Sequence, residues 1–137
     1  MKILALDIGD VWIGTAISDP MGIIAKPLKT IKSHELIQFL KETLQSEKIS
    51  AVVVGYPKTM RGTVSKQTEK TTTTMQELKD TFPSISFILW DERLSSKRAD
   101  ELKRGSRSPA EKQASHSRAA AFILSSYLEY KQIHTAK

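Results

Sequence analysis

The sequence contains no cysteine. Disulfide bridges, thiolate zinc sites and a cysteine nucleophile are therefore excluded, and the composition is compatible with a cytoplasmic protein. Long hydrophobic runs are missing too. The longest apolar stretches span only a few residues, too short for a membrane-spanning helix, so no membrane partner is expected. The chain opens directly on a strand-like run with no charged leader and no small-residue cleavage site, so no signal peptide is expected. Internal repeats and obvious linkers are also absent. Acidic charge is in short supply: 15 Asp and Glu face 21 Lys and Arg, for a formal net charge of +6. A basic surface favours polyanions because neutralising phosphates releases counterions, although many basic proteins bind none. What remains is ordinary. At 137 residues, 39% hydrophobic and 26% charged, the chain suits one globular domain covering 1–137.

The hydrophobic pattern places the elements. "KILAL" (2–6) reads as a buried strand and "WIGTAIS" (12–18) as a second, with Gly9 and Asp10 supplying a tight hairpin turn. After "DPMG" (19–22), another turn, "IIAKPLKTI" holds a short third strand that Pro27 ends or marks as an edge. Ser33 is a candidate cap for a helix over 34–47, whose apolar face is Leu36, Ile37, Phe39, Leu40 and Leu44. "AVVVG" (51–55) has the β-branched character of a strand buried on both faces. A helix is expected over 65–81 on a Met75, Leu78 and Phe82 stripe, despite the poor helix propensity of "TTTT" at 71–74. "ISFILW" (85–90) is a further strand, and a short helix over 95–104 closes at Gly105. The last helix begins with a Ser108-Pro109-x-Glu111 signature and runs to about 131. The order β-β-β-α-β-α-β-α-α predicts an α/β fold with a mixed sheet.

Two strands end in carboxylates, the first at Asp7 and the last at Asp91 and Glu92. Ligands in open α/β sheets gather beyond the carboxyl ends of strands. If these two strands are parallel neighbours, the acids converge at one edge and repel unless a divalent cation joins them; oxygen ligands suit Mg²⁺ or Mn²⁺. The plainer alternative is that Asp91 and Glu92 simply begin a loop. His116 shares a helix face with Ala120, Ile123 and Tyr127, so it either meets the carboxylates at that edge or packs as a core histidine. Basic residues cluster nearby: Lys58 and Arg61 in the 56–63 loop, then Arg93, Lys97, Arg98, Lys103, Arg104, Arg107 and Lys112. From 93 to 112 seven basic residues stand against three acidic ones, which makes either a phosphate-backbone track or a solvated helix face.

Four blocks in order, "LALDIGDVWIGTAISDPMGIIAKPL" (4–28), "VVVGYPKTMRGT" (52–63), "LWDERLSS" (89–96) and "RAAAFILSSYLE" (118–129), together resemble the YqgF/RuvX family of bacterial proteins. The family is described as pre-16S rRNA nucleases and also as Holliday junction resolvases. The resemblance implies a ribonuclease H-like fold, a five-stranded mixed sheet with the first three strands antiparallel, flanked by helices. It implies a metal-dependent hydrolase of phosphodiesters, most naturally in 5′-end processing of pre-16S ribosomal RNA. Its first-strand aspartate matches Asp7, its turn and strand glycines match Gly9 and Gly14, and its "DER" block matches Asp91, Glu92 and Arg93. Gly55, Pro57, Met60, Gly62 and Thr63 match its second loop. By analogy with related resolvases the metal ligands are Asp7 and Glu92, with Asp91 a further candidate; the family's final-helix aspartate is replaced here by His116. Asp10 and Arg61 are further departures, from a threonine and from a commonly acidic position. Expected catalytic groups are thus Asp7, Glu92 and His116, with Mg²⁺ or Mn²⁺ as cofactor. Nucleic-acid contacts are expected from Lys58, Arg61, Arg93, Lys97, Arg98, Arg104 and Arg107. The partner is pre-ribosomal RNA or branched DNA, and the protein is a monomer or homodimer. The competing classes are a junction resolvase in DNA recombination and a non-catalytic nucleic-acid-binding module with a weakened metal site. "DIGDVWIG" also resembles the first phosphate loop of actin-like ATPases, but no second Asp-x-Gly loop follows.

Overall fold

A β-branched, apolar strand needs cover on both faces, and the chain supplies it with helices on each side of one sheet. The computed structural model describes residues 1–9, 11–56, 66–91 and 109–135. Strands β1 (Lys2–Ile8), β2 (Trp12–Ser18) and β3 (Ala25–Lys32) form an antiparallel meander. A 3₁₀ turn (Ser33–Glu35) leads into α1 (Leu36–Ser46). Then come β4 (Ile49–Tyr56), α2 (Lys66–Thr81), β5 (Ser86–Asp91) and the long α3 (Pro109–Thr135). The sheet order is β3-β2-β1-β4-β5, with β4 parallel to both β1 and β5.

Strand alternation divides the interior into two cores. Leu4, Leu6 and Ile8 of β1 join Ile13, Ile31, Val52, Val54 and Phe87 beneath Leu36, Phe39 and Leu40 of α1 and Met75 and Leu78 of α2. The opposite face is built on smaller residues. Ile3, Ala5, Ala16 and Val53 pack under Ala120, Ile123, Leu124 and Leu128 of α3. At the β5 side, Trp90 pins α3 through an Nε1–H donated to Ser126 Oγ at 3.2 Å and an edge-on contact with the Tyr127 ring at 5.5 Å.

The differences from the sequence-based boundaries have physical causes. β1 does not stop at Asp7: buried Ile8 pairs with Ile13 and carries the strand into the hairpin. Pro27 does not end β3, which lies at the sheet edge, where a missing N–H costs least. Opposite it the β2–β3 register shifts between Gly14 and Ala16, and the Thr15 hydroxyl bonds both the C=O and the N–H of Lys29. Ser33 does not cap an α-helix; its hydroxyl donates to the Val11 carbonyl at 3.2 Å, and Glu35 Oε1 takes the Lys32 N–H at 2.8 Å instead. The threonine run stays helical because Thr71 lies on the Met75–Leu78 stripe and is fully buried, so packing outweighs propensity. α3 extends a further turn, to Thr135. The expected 95–104 helix and the Ser108 cap lie outside the described residues. Among the described residues no helix is long and apolar enough to cross a membrane.

The β2–β3 turn is held by one carboxylate. Asp19 Oδ1 accepts the N–H groups of Ile23 and Ile24 at 2.7 and 2.8 Å, while Gly22 takes a positive φ of 70°. The Ile24 N–H, then those of Ile23 and Met21, hold the Asp19 carboxyl below its ordinary value of 3.8. A folded pKa below the unfolded one adds stability above the unfolded value, and that contribution fades as pH falls through the folded value. Asp19→Ala is therefore expected to lower the melting temperature at neutral pH, with the gap from the parent closing in acid below the ordinary carboxylate value. Thermal melts at the two pH values check this, and an equal gap at both contradicts it.

Candidate functional site

The site begins at the carboxyl end of β1. Asp7 is the Cα partner of Gly14 across the hairpin. Its odd-numbered neighbours Ile3 and Ala5 belong to the core under α3, so Asp7 belongs to the α3 face as well. The residue is partly buried, and among the described residues it has no hydrogen-bond donor and no cation. A carboxylate partly withdrawn from bulk water and without a partner among the described residues carries a desolvation cost that a ligand could offset.

Gly14 explains how the second group arrives. A Cβ built there would lie 2.0 Å from the carbonyl oxygen of His116 and 2.9 Å from the Ser117 nitrogen. The backbone of α3 thus rests directly on β2 at the residue paired with Asp7. Opposed Cα atoms in an antiparallel pair are about 5 Å apart, so the Asp7 backbone and the α3 backbone at His116 are neighbours across one strand spacing. Small residues make the approach possible at this end of the contact: Ala5, Gly14 and Ala16 on the sheet, Ala119 and Ala120 on the helix. His116 is partly buried, with Ala120 and Ile123 of the same face fully in the core.

The third strand end is placed differently from the condition stated for it. β1 and β5 are parallel but are not neighbours; β4 stands between them. The registers align Leu6 with Val54 and Val54 with Leu89, so the Asp91 backbone lies two strands away and one residue level beyond Asp7. Two strand spacings amount to about 10 Å, and the register gives Asp91 the alternation of Phe87 in the α1/α2 core whereas Asp7 has that of Ala5 in the α3 core, so the strand ladder does not bring these two positions onto one face. Both strands do end at the same edge of the sheet. Glu92 lies outside the described residues, as do Lys58, Arg61, Arg93, Lys97, Arg98, Arg104 and Arg107.

Residues that sequence reasoning passed over sit beside this edge. Trp12 is the next residue of β2 on the Gly14 face, and its Cα partner is Lys32. The Lys32 Nζ stands 5.7 Å from the centre of the Trp12 ring. The hairpin register carries the signal: pairing Ile8 with Ile13 puts Asp7, Gly14 and Trp12 on one face.

Known proteins agree with this architecture. The family model described as "RuvX: Holliday junction resolvase" matches residues 1–130. The chain belongs to the RuvX family. A relative from Rubrobacter xylanophilus named "Putative pre-16S rRNA nuclease" is 37% identical over 129 residues, covering 93% of this chain and 92% of that protein. A relative of the same name from Desulfitobacterium hafniense is 39% identical over 133 residues, covering 95% and 93%. Among solved structures, Thermus thermophilus RuvC in complex with a Holliday junction substrate superposes with a TM-score of 0.65 at 14% identity, over 98% of this chain and 97% of that one. The fold is therefore the RuvC-like ribonuclease H fold, as the RuvX sequence blocks implied.

The Gly14 contact leads to a direct test. Gly14→Ala forces α3 off β2 or strains both, and overpacking of this kind typically costs about 1–3 kcal/mol. A lower denaturant midpoint with an unchanged m-value is the expected outcome. A variant as stable as the parent would show that α3 does not rest on β2 at His116.

Proposed function

We propose that residues 1–137 act as one metal-dependent nuclease domain that hydrolyses phosphodiesters in pre-16S ribosomal RNA, in the cytoplasm. The observation that carries this is the partly buried Asp7 carboxylate, without a partner among the described residues, beside the α3 backbone at His116. The relatives named as pre-16S rRNA nucleases direct the choice of substrate.

A carboxylate and an imidazole on one sheet edge form a mixed oxygen and nitrogen donor set. Such a set fits a divalent cation, with imidazole favouring Mn²⁺ over Mg²⁺. Asp7 and His116 would hold it, with Glu92 reaching in from the β5 end. When bound, such an ion supplies Lewis-acid polarisation of a phosphoryl oxygen and a water of lowered pKa. The chain itself contributes placement. β1 and β2 hold Asp7 in a rigid ladder, Gly14 brings α3 close enough to present His116, and no nucleophilic side chain is required. Lys58, Arg61, Arg93, Lys97, Arg98, Arg104 and Arg107 would supply phosphate contacts, which hold the substrate but carry no sequence information.

Asp7→Asn keeps the shape and removes the charge. Cleavage of structured precursor RNA in Mn²⁺ is expected to fall by roughly 100-fold or more, since a metal site supplies several kcal/mol of transition-state stabilisation. The melting temperature should hold or rise, because an unpaired carboxylate is removed. Undiminished cleavage would reject the site. His116→Asp is expected to raise activity in Mg²⁺ relative to Mn²⁺; a fall in Mg²⁺ would give His116 another role. A four-way DNA junction assayed alongside decides between the RNA and junction substrates.

A further inference from the structure

Trp12 stands where the proposed site needs a surface for the substrate's bases. It is partly exposed and lies on the Asp7–Gly14 face, one step closer to the hairpin tip than Gly14. The tip is fixed on both sides. Gly9 N–H donates to the Trp12 carbonyl at 2.9 Å, and a Cβ at Gly9 would come within 2.7 Å of that oxygen. The Val11 carbonyl accepts both the N–H of Ser33, at 2.9 Å, and its hydroxyl, at 3.2 Å. The indole is thus carried on backbone that has little freedom left to lose on binding, which is the condition for an effective stacking platform.

Lys32, cross-strand from Trp12 and exposed, holds its ammonium over the indole, 5.7 Å from the ring centre, a contact that its long exposed side chain gives up when it swings to a phosphate. An indole face next to a cation matches a nucleotide's two features, a flat base and an adjacent phosphate. A base can reach the indole only when it is unstacked and unpaired, since a duplex keeps its base faces covered. We propose that Trp12 and Lys32 form a subsite for one unpaired nucleotide beside Asp7, Trp12 stacking on the base and Lys32 meeting its phosphate, so that the site takes single-stranded nucleic acid in preference to a duplex.

The proposal rests on the nuclease reading for its location but is tested by binding alone. Fluorescence anisotropy without added metal measures a labelled single-stranded oligouridylate and a blunt RNA duplex against the parent, Trp12→Phe, Trp12→Leu and Lys32→Ala. Trp12→Leu is expected to bind the single strand about tenfold more weakly while binding the duplex as the parent does, and Trp12→Phe to keep most of the affinity, in line with base–aromatic stacking. Lys32→Ala should weaken binding and reduce the salt dependence by about one phosphate contact. The two apolar replacements are also compared with each other and against matched melting curves, so a shared folding defect cannot imitate the result. Equal affinity of the Phe and Leu variants for the single strand, or equal losses on single strand and duplex, would overturn the subsite. Loss of this discrimination leaves the Asp7→Asn outcome untouched, and cleavage that survives in Asp7→Asn leaves the binding outcome untouched, so the two readings fail separately.

Discussion

With only a hydrogen as its side chain, Gly14 lets the backbone of α3 settle onto β2 at His116, and the rest of the arrangement depends on that contact. A sheet usually keeps a helix at a distance set by two layers of side chains. Here Ala5, Gly14 and Ala16 on one side meet Ala119 and Ala120 on the other, and the layers nearly vanish. The opposite face uses Leu4, Leu6, Ile13, Phe39, Leu40 and Leu78, which hold two helices off at ordinary spacing. The asymmetry has a consequence for chemistry: among the described residues, the α3 face is the one that brings helix main chain close to the end of β1, where Asp7 stands. Trp90, Ser126 and Tyr127 then fix the helix from the far side of the sheet. The helix is thus held at the β2 and β5 sides of the sheet, which limits its freedom to slide away from Asp7.

Much of this was legible before any coordinates. β2 matched its apolar run residue for residue, and β4 contains the β-branched run read as buried on both faces, with Val52 and Val54 in one core and Val53 in the other. α1 was located by its apolar stripe and α3 by its Ser108-Pro109-x-Glu111 start signature. The misplaced details share a cause: they were decided by contacts distant in sequence. Ser33 has the chemistry of a helix cap, yet its hydroxyl finds the Val11 carbonyl 22 positions away. Thr71 is a poor helix former on its own, yet it is buried against the sheet. Strand order is the clearest case. No local pattern states that β4 lies between β1 and β5; that follows from parallel crossovers packing a helix on the sheet each time. Asp7 could be singled out because a charge on an apolar strand is conspicuous. Trp12 could not, because an aromatic residue on a strand reads as core until its register partner is known.

Tight packing surrounds Asp7, whose charge has no partner among the described residues. A native protein has only a narrow margin of stability, and a partly buried carboxylate without a partner draws on it. The surrounding ladder tolerates the cost because Leu4, Ala5, Leu6 and Ile8 flank Asp7 with almost complete burial on both faces of β1. Replacing the carboxylate with an apolar residue would suit the fold better than what is there. Burial and packing alone give no reason for Asp7 to be charged. The proposed nuclease role supplies one, because the same desolvation that makes a partly buried carboxylate costly strengthens its attraction for a cation.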